Sequence, residues 1–268
     1  MESIRVLDSA TKLAAADRGA VVVCGSHGGT FPAWLAARAG VRAIVLNDAG
    51  LGLDRAGVAG LAWLDALGIA ACAVEGGSAR IGDGADTLAS GVLSTVNEAA
   101  ARAGCEVGMA CREAARRLSE ATGVEPRSIP ERGESRTAIP NTGHRAAWTL
   151  DSMSLAKDTD AHAIVVTGSH GALLGGRKDD GMLAVRIHAA VFNDAGGGKE
   201  GAGYARLAVL DRRGIAAATV SAATARIGDG RSTWETGVLS RVNAAAARLD
   251  LAEGLTCREA VARLLGLG

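Results

Sequence analysis

The chain has 268 residues, 48% hydrophobic and 22% charged, a balance that suits a folded soluble protein with a substantial core rather than a disordered one. Lys+Arg and Asp+Glu both number 29, so no net field draws the protein to nucleic acid or to an anionic membrane, and 3% aromatic residues leave little for base stacking.

At the start, Glu2, Arg5, Asp8, Lys12, Asp17 and Arg18 interrupt any apolar run, so neither a signal peptide nor a membrane anchor is expected. A strand at residues 4–7 leads to a second at 21–24, which runs into Gly25-Ser26-His27-Gly28. A third strand, 43–46, runs into Asn47-Asp48-Ala49-Gly50. A helix over 56–67 ends at Gly68, where a helix C-terminus favours glycine, and a strand at 69–74 leads to Arg80-Ile81-Gly82-Asp83-Gly84. The next helix is expected to start at Thr87 and to carry Gly91, Ser94 and Asn97 on one face, three residues apart, packed closely on the sheet. Cys111 opens a terminal helix.

Residues 119–145 hold Pro126, Pro130 and Pro140 among charges and glycines, which reads as a linker or surface excursion. Beyond it the whole series recurs: strands at 148–150, 163–167, 189–192 and 215–220, a helix over 202–212 ended by Gly214, then Gly168-Ser169-His170-Gly171, Asn193-Asp194-Ala195-Gly196 and Arg226-Ile227-Gly228-Asp229-Gly230 at the matching places. Leu7-Asp8-Ser9 recurs as Leu150-Asp151-Ser152 at an offset of 143, and Asp48 as Asp194 at 146, so three residues are inserted within 173–182.

Continuous apolar strands are covered on both faces, as in parallel sheets, and their alternation with helices is the βαβ pattern. The expected fold is therefore α/β: two pseudo-symmetric copies of a βαβ-type unit with parallel sheets, residues 1–118 and 146–268, joined by 119–145. In such sheets ligands lie beyond the carboxyl ends of the strands, where all three loop types fall.

Each loop offers chemistry. Gly28 and Gly171 permit turns that present backbone N–H groups to an anion, Ser26 and Ser169 add hydroxyls, and His27 and His170 exchange protons near neutrality. Asp48 and Asp194 can orient a histidine or act as bases, beside the amides of Asn47 and Asn193; closing an Asx-turn is their plainer use. Arg80 and Arg226 suit a substrate carboxylate or phosphate, although Asp83 and Asp229 three residues on would equally give internal salt bridges or favour a helix start. Lys199, where the first copy has Leu53, and Lys178, Asp179 and Asp180 in the insertion distinguish the second copy and make His170 the favoured centre of chemistry.

There is no GxGxxG after the first strand and no GxSxG elbow, and Gly171–Arg177 lacks the Lys and Ser/Thr of a P-loop. The leading expectation is a cofactor-independent enzyme acting on a small anionic, carboxylate-type molecule, a hydrolase ahead of a lyase or isomerase. Its catalytic groups would be His170, His27, Asp194, Asp48, Ser169, Ser26 and Lys199, and its substrate-binding groups Gly28, Gly171, Asn47, Asn193, Arg80, Arg226, Asp83 and Asp229. One alternative is a divalent-metal hydrolase or lyase using His and Asp at the strand ends, although no HxH or HxxxH spacing supports it. Another is a non-catalytic small-ligand binding protein. Cysteines 24, 72, 105, 111 and 257 are odd in number and never spaced CxxC, which argues for reduced thiols in a cytoplasmic protein and against a thiolate zinc site. A homo-oligomer is compatible with all of this.

Overall fold

The computed structural model describes residues 4–124, 128–176 and 185–267. Its first sheet runs β1 (Ile4–Leu7), β2 (Val21–His27), β3 (Ala43–Asn47), β4 (Ala70–Val74) and β5 (Leu93–Val96), side by side in chain order, the first four parallel and β5 antiparallel to β4. Helices α1 (Thr30–Ala39) and α2 (Ala59–Ala66) carry the crossovers, and α3 (Gly84–Ser90), α4 (Glu98–Arg102) and α5 (Cys111–Glu120) follow.

Side-chain alternation accounts for the continuous hydrophobicity of these strands. Val22, Cys24, Ile44, Leu46, Ala71 and Ala73 face α1 and α2, whereas Val21, Val23, Ala43, Val45, Cys72 and Val74 face α5 and the chain around α4. Both faces are buried, so an alternating polar pattern would leave polar groups inside.

The second sheet repeats the order with one extra strand. It comprises β6 (Arg136–Ala138), β7 (Ala147–Leu150), β8 (Ile164–His170), β9 (Ala189–Asn193), β10 (Ala216–Val220) and β11 (Leu239–Val242). Here β7 to β10 are parallel, and the edge strands β6 and β11 are antiparallel to their neighbours. Helices α6 (Arg206–Arg212), α7 (Gly230–Thr236), α8 (Ala244–Ala247) and α9 (Cys257–Leu265) complete this half. Among the described residues no helix is long and apolar enough to cross a membrane.

Three expectations change. The helix expected to carry Gly91, Ser94 and Asn97 stops at Ser90, and the chain turns back as β5; its counterpart stops at Thr236 and returns as β11. Val92, Thr95 and Val96 are β-branched and favour extended backbone, and a Cβ on Gly91 would collide with Thr87 O and Val74. Thr87 and Thr233 lie inside α3 and α7; Asp83 and Asp229 cap them, accepting from Asp86 N (2.9 Å) and Ser232 N (2.8 Å). The GSHG loop of the first half precedes a helix, α1, capped by Gly29 rather than by a serine, but in the second half the described chain makes only a short 3-10 turn at Leu174–Gly176. Lys178, Asp179 and Asp180 lie outside the described residues.

The segment joining the halves is built into both. Trp34 Nε1 donates to Pro130 O (3.0 Å), while β6 extends the second sheet and Ile139 enters its core.

Asn97 and Asn243 fasten α4 and α8 to the sheets. Asn97 Oδ1 accepts from Ala71 N and Ala100 N (3.0 and 2.9 Å), and its Nδ2 donates to Leu61 O and Ile69 O (3.3 and 2.9 Å). Asn243 does the same with Ala217, Ala246, Leu207 and Ile215. Replacing Asn97 with Ala removes four hydrogen bonds to buried backbone groups, so N97A is expected to cost about 3 kcal/mol or more in denaturant unfolding. A cost below about 1 kcal/mol would contradict this role.

Candidate active site

The two halves meet through the loops that follow β3 and β9. Gly50 and Gly196 approach so closely that a Cβ on either would press on the other's Cα at 3.0–3.1 Å, and both have positive φ (68° and 70°). Leu53 N donates to Ala222 O and Lys199 N to Gly76 O, both at 2.8 Å, a pair of bonds related by the 146-residue offset. Ala49, Ala56 and Ile81 pack with Ala195, Ala202 and Ile227 and with Ala172 in a small apolar seam. Arg226 Nε donates to Asp54 (2.8 Å) and Arg80 Nη1 to Glu200 (3.1 Å), again equivalent positions.

These contacts also engage several of the expected site residues. Arg80 also lies 3.8 Å from Asp83 and 3.6 Å from Asp86. Lys199 is ion-paired with Asp86 at 2.9 Å, across the seam. Burial pushes the Asp86 carboxyl up, but hydrogen bonds from Arg80 N and Lys199, with both positive charges, outweigh it and hold the group below the usual range.

Asp48 and Asp194 are likewise engaged in their own loops. Asp48 Oδ1 accepts from Gly50 N and Gly76 N (2.9 and 2.8 Å) and Oδ2 from the Ser94 hydroxyl (2.7 Å); Asp194 Oδ1 accepts from Gly196 N and Ala222 N (2.9 and 2.8 Å). Asn47 and Asn193 are fully buried, bonding Ala49 N and Ala79 O, and Ala195 N and Ala225 O. The glycines do not form an anion nest. Gly28 N and Gly171 N donate to Asn47 O and Asn193 O (2.8 and 2.9 Å), and a Cβ on Gly25 or Gly168 would collide with Asp83 N or Asp229 N.

What the halves do bring together is the two GSH segments. Ser26, His27, Ser169, His170, Glu134 and Arg206 all line one cavity of ≈ 90 Å³ between the halves, with Phe31, Pro32, Leu35, Leu174 and Ile227 as apolar wall. It is small beside the several hundred Å³ usual for drug-sized ligands. Larger, more open grooves of 470 and 660 Å³ border Arg42 near the start of β3, at the far edge of the sheet from these loops.

Bulges place the histidines. The pairing of β2 with β3 shifts between Val23 and His27, and that of β8 with β9 between Val166 and His170, so each imidazole sits at a strand end opposite Asn47 or Asn193. His27 Nδ1 accepts from Gly29 N (3.1 Å) and His170 Nδ1 from Ala172 N (3.3 Å). With Nδ1 an acceptor, the neutral ring carries its proton on Nε2. Burial lowers His27 to about 4; burial, with Arg206 and His27 adding, lowers His170 to about 3. Both imidazoles are therefore neutral N–H donors at pH 7, not bases in waiting. The serine hydroxyls accept from Ala10 N and Met153 N (2.9 Å each), and among the described residues neither is hydrogen-bonded to a histidine.

Two cavity residues were not legible as site residues. Arg206 occupies the position equivalent to Gly60, where a Cβ would strike Gly29 O and Ala33 on α1. The described second half has no such helix there, and the guanidinium takes up the room, donating from Nη2 to Ala172 O (2.8 Å) 5.1 Å above the Phe192 ring. Glu134 stands in the joining segment. Burial pushes its carboxyl up to about 7, with the charge of Asp151 adding and a hydrogen bond with Ser152 opposing. A copy-to-copy comparison at Gly60 would have exposed Arg206; nothing around Glu134 marks it in sequence.

All five cysteines are free and buried, and burial pushes Cys24 up to about 11 and Cys111 and Cys257 to about 12, so these three are not thiolates at neutrality. Among the described residues no three His, Cys, Asp or Glu are placed to share a metal ion.

The depressed histidines link stability to pH. Below the ordinary histidine value of 6.5 the unfolded chain takes up protons that the folded rings refuse until about pH 4 and 3, so stability falls as the solution is acidified through that window. Glu134, raised, acts in the opposite sense, so the measurement is a difference. Between pH 7 and 5 the wild type should lose roughly 1–2 kcal/mol per histidine relative to the H27N/H170N double variant. Parallel stability curves for the two proteins would contradict the burial of these rings. No family model, curated protein or solved structure matches the chain, and the chemistry of the cavity rests on its own residues.

Proposed function

We propose that the cavity between the halves is the active site of an enzyme that acts on a small carboxylate-type anion with its own side chains and no cofactor. The observation that carries this reading is the pair of neutral imidazoles, one from each half, lining a small cavity beside a buried guanidinium. Arg206 supplies a fixed positive charge for the substrate's anionic group. The two Nε2–H groups supply donors for an oxygen on which negative charge develops, a role in which a preorganised donor contributes two to three orders of magnitude in rate. A neutral imidazole suits it because its own proton is not lost to water at pH 7.

The same geometry moves the reading away from hydrolysis through a serine nucleophile. That chemistry needs a hydroxyl and a base within hydrogen-bond reach, whereas among the described residues neither Ser26 nor Ser169 is hydrogen-bonded to a histidine, each hydroxyl accepting from a backbone N–H. Proton-transfer chemistry of the lyase or isomerase type, or attack by an activated water, fits the donors better. Five free buried thiols support a cytoplasmic setting.

The test is a screen of small carboxylates, amides and lactones for turnover, followed by substitution. Replacing His27 or His170 with Phe, which keeps the ring and removes the donor, should lower kcat by on the order of a hundredfold. The unequal surroundings predict that His170, nearest Arg206, has the larger effect. Full activity in a folded double variant would sink the proposal, and retained ligand affinity with no turnover in the wild type would leave a binding protein.

A further inference from the structure

Resting on that reading, we infer that Glu134 is the catalytic acid–base: its carboxylate takes a proton from the carbon beside the carbonyl of a small oxo acid, while His27 and His170 hold the enolate oxygen that forms. The C–H bond breaks, its electron pair moves into the enolate, and the proton bonds to a Glu134 carboxylate oxygen. Return of that proton to the same or a neighbouring carbon closes the cycle, so neither an oxidant nor a second substrate is needed.

The placement of Glu134 carries the inference. Its segment is tied down on both sides of Asp151: Ser135 N donates to Asp151 Oδ2 (2.6 Å) and Asp151 N to Ser135 O (3.0 Å). Arg136, the next residue, holds Asp160 in a two-pronged bond of 2.6 and 2.9 Å and lies 4.0 Å above the Trp148 ring. These contacts fix the backbone from which Glu134 projects, and its side chain lines the cavity.

The other titratable groups have different work. His27 and His170 have Nδ1 occupied and stay neutral far below pH 7. Asp48, Asp194, Asp83 and Asp229 serve their own loops and helix starts. Of the two carboxylates lining the cavity, Asp151 holds Gly230 N (3.1 Å) on one oxygen and Ser135 N on the other. Among the described residues, the hydrogen bond acting on Glu134 comes from the Ser152 hydroxyl. The groups that act on it directly are Asp151 and Ser152 from the end of β7; His27 and His170 from β2 and β8 and Arg206 from α6 line the same cavity. Burial beside the Asp151 charge lifts its titration to about 7, where a carboxyl exchanges protons most effectively at neutral pH.

The experiment uses the full chain in D2O with pyruvate, α-ketobutyrate and acetoacetate as probes, following loss of the C–H signals by proton NMR. Binding is read separately from the shifts of the two histidine Nε2–H resonances. The wild type is expected to catalyse exchange of at least one probe, with a rate that follows an ionisation near pH 7. E134Q should bind that probe within a fewfold of wild type yet exchange it on the order of a hundredfold more slowly, without the ionisation, and E134D should recover part of the rate. Exchange by folded E134Q at the wild-type rate, or wild-type binding of the probes without exchange, would overturn the assignment while leaving the anion site standing. Unmoved histidine resonances with every probe would remove both together.

Discussion

Everything in this molecule depends on how closely two backbones approach at Gly50 and Gly196. With no side chains between them, the loops after β3 and β9 exchange hydrogen bonds from Leu53 to Ala222 and from Lys199 to Gly76. That contact orients the two sheets so that their β2 and β8 ends face one another. The carboxylates of Asp48 and Asp194 make it feasible by binding the backbone N–H groups of the turn, which would otherwise be buried without acceptors. The left-handed backbone at Ala49 and Ala195, with φ of 49° and 50°, is part of the same closure. Asp48 and Asp194, expected at the site, are thus also part of the joinery between the halves.

Much of the fold was open to a reader of the sequence because its signals are local and doubled. Apolar runs of strand length, glycines at helix ends and two sets of loops at constant offset give strand, helix and edge. The histidines stood out for the same reason, since a turn does not need an imidazole and here it has one twice, and the structure places both against one cavity. Where the structure adds to the sequence, the reason is physical. Asp48, Arg80 and Lys199 are polar residues at strand ends, and sequence alone cannot say whether such a group faces a ligand or the opposite half. The run from Val92 to Asn97 was mistaken for helix because a three-residue spacing of small polar groups outweighed the β-branched residues between them. Glu134 lay beyond reach because its role depends on a segment folding back beside Asp151, a contact with no periodicity to reveal it.

The halves share a scaffold and differ where it matters for the cavity. Asn97 and Asn243, Ser26 and Ser169, and Arg80 and Arg226 occupy equivalent positions and make equivalent bonds or equivalent types of bond. Gly60, by contrast, is matched by Arg206. In the first half a side chain there would strike α1; in the second a guanidinium enters the space and meets the cavity. The extra strand β6, which brings Glu134 alongside, belongs to the second sheet alone among the described residues.

This unlike decoration of a near-twofold frame has a stereochemical consequence. Two matching imidazoles on their own would receive a ligand equally well in either of two orientations related by the pseudo-axis. Arg206 and Glu134 break that equivalence: one names the end of the ligand that is charged, and the other names the side from which a proton is reached. With the histidine donors as a third fixed direction, the proposed chemistry would retain one of those two orientations and present one face of a planar intermediate to Glu134.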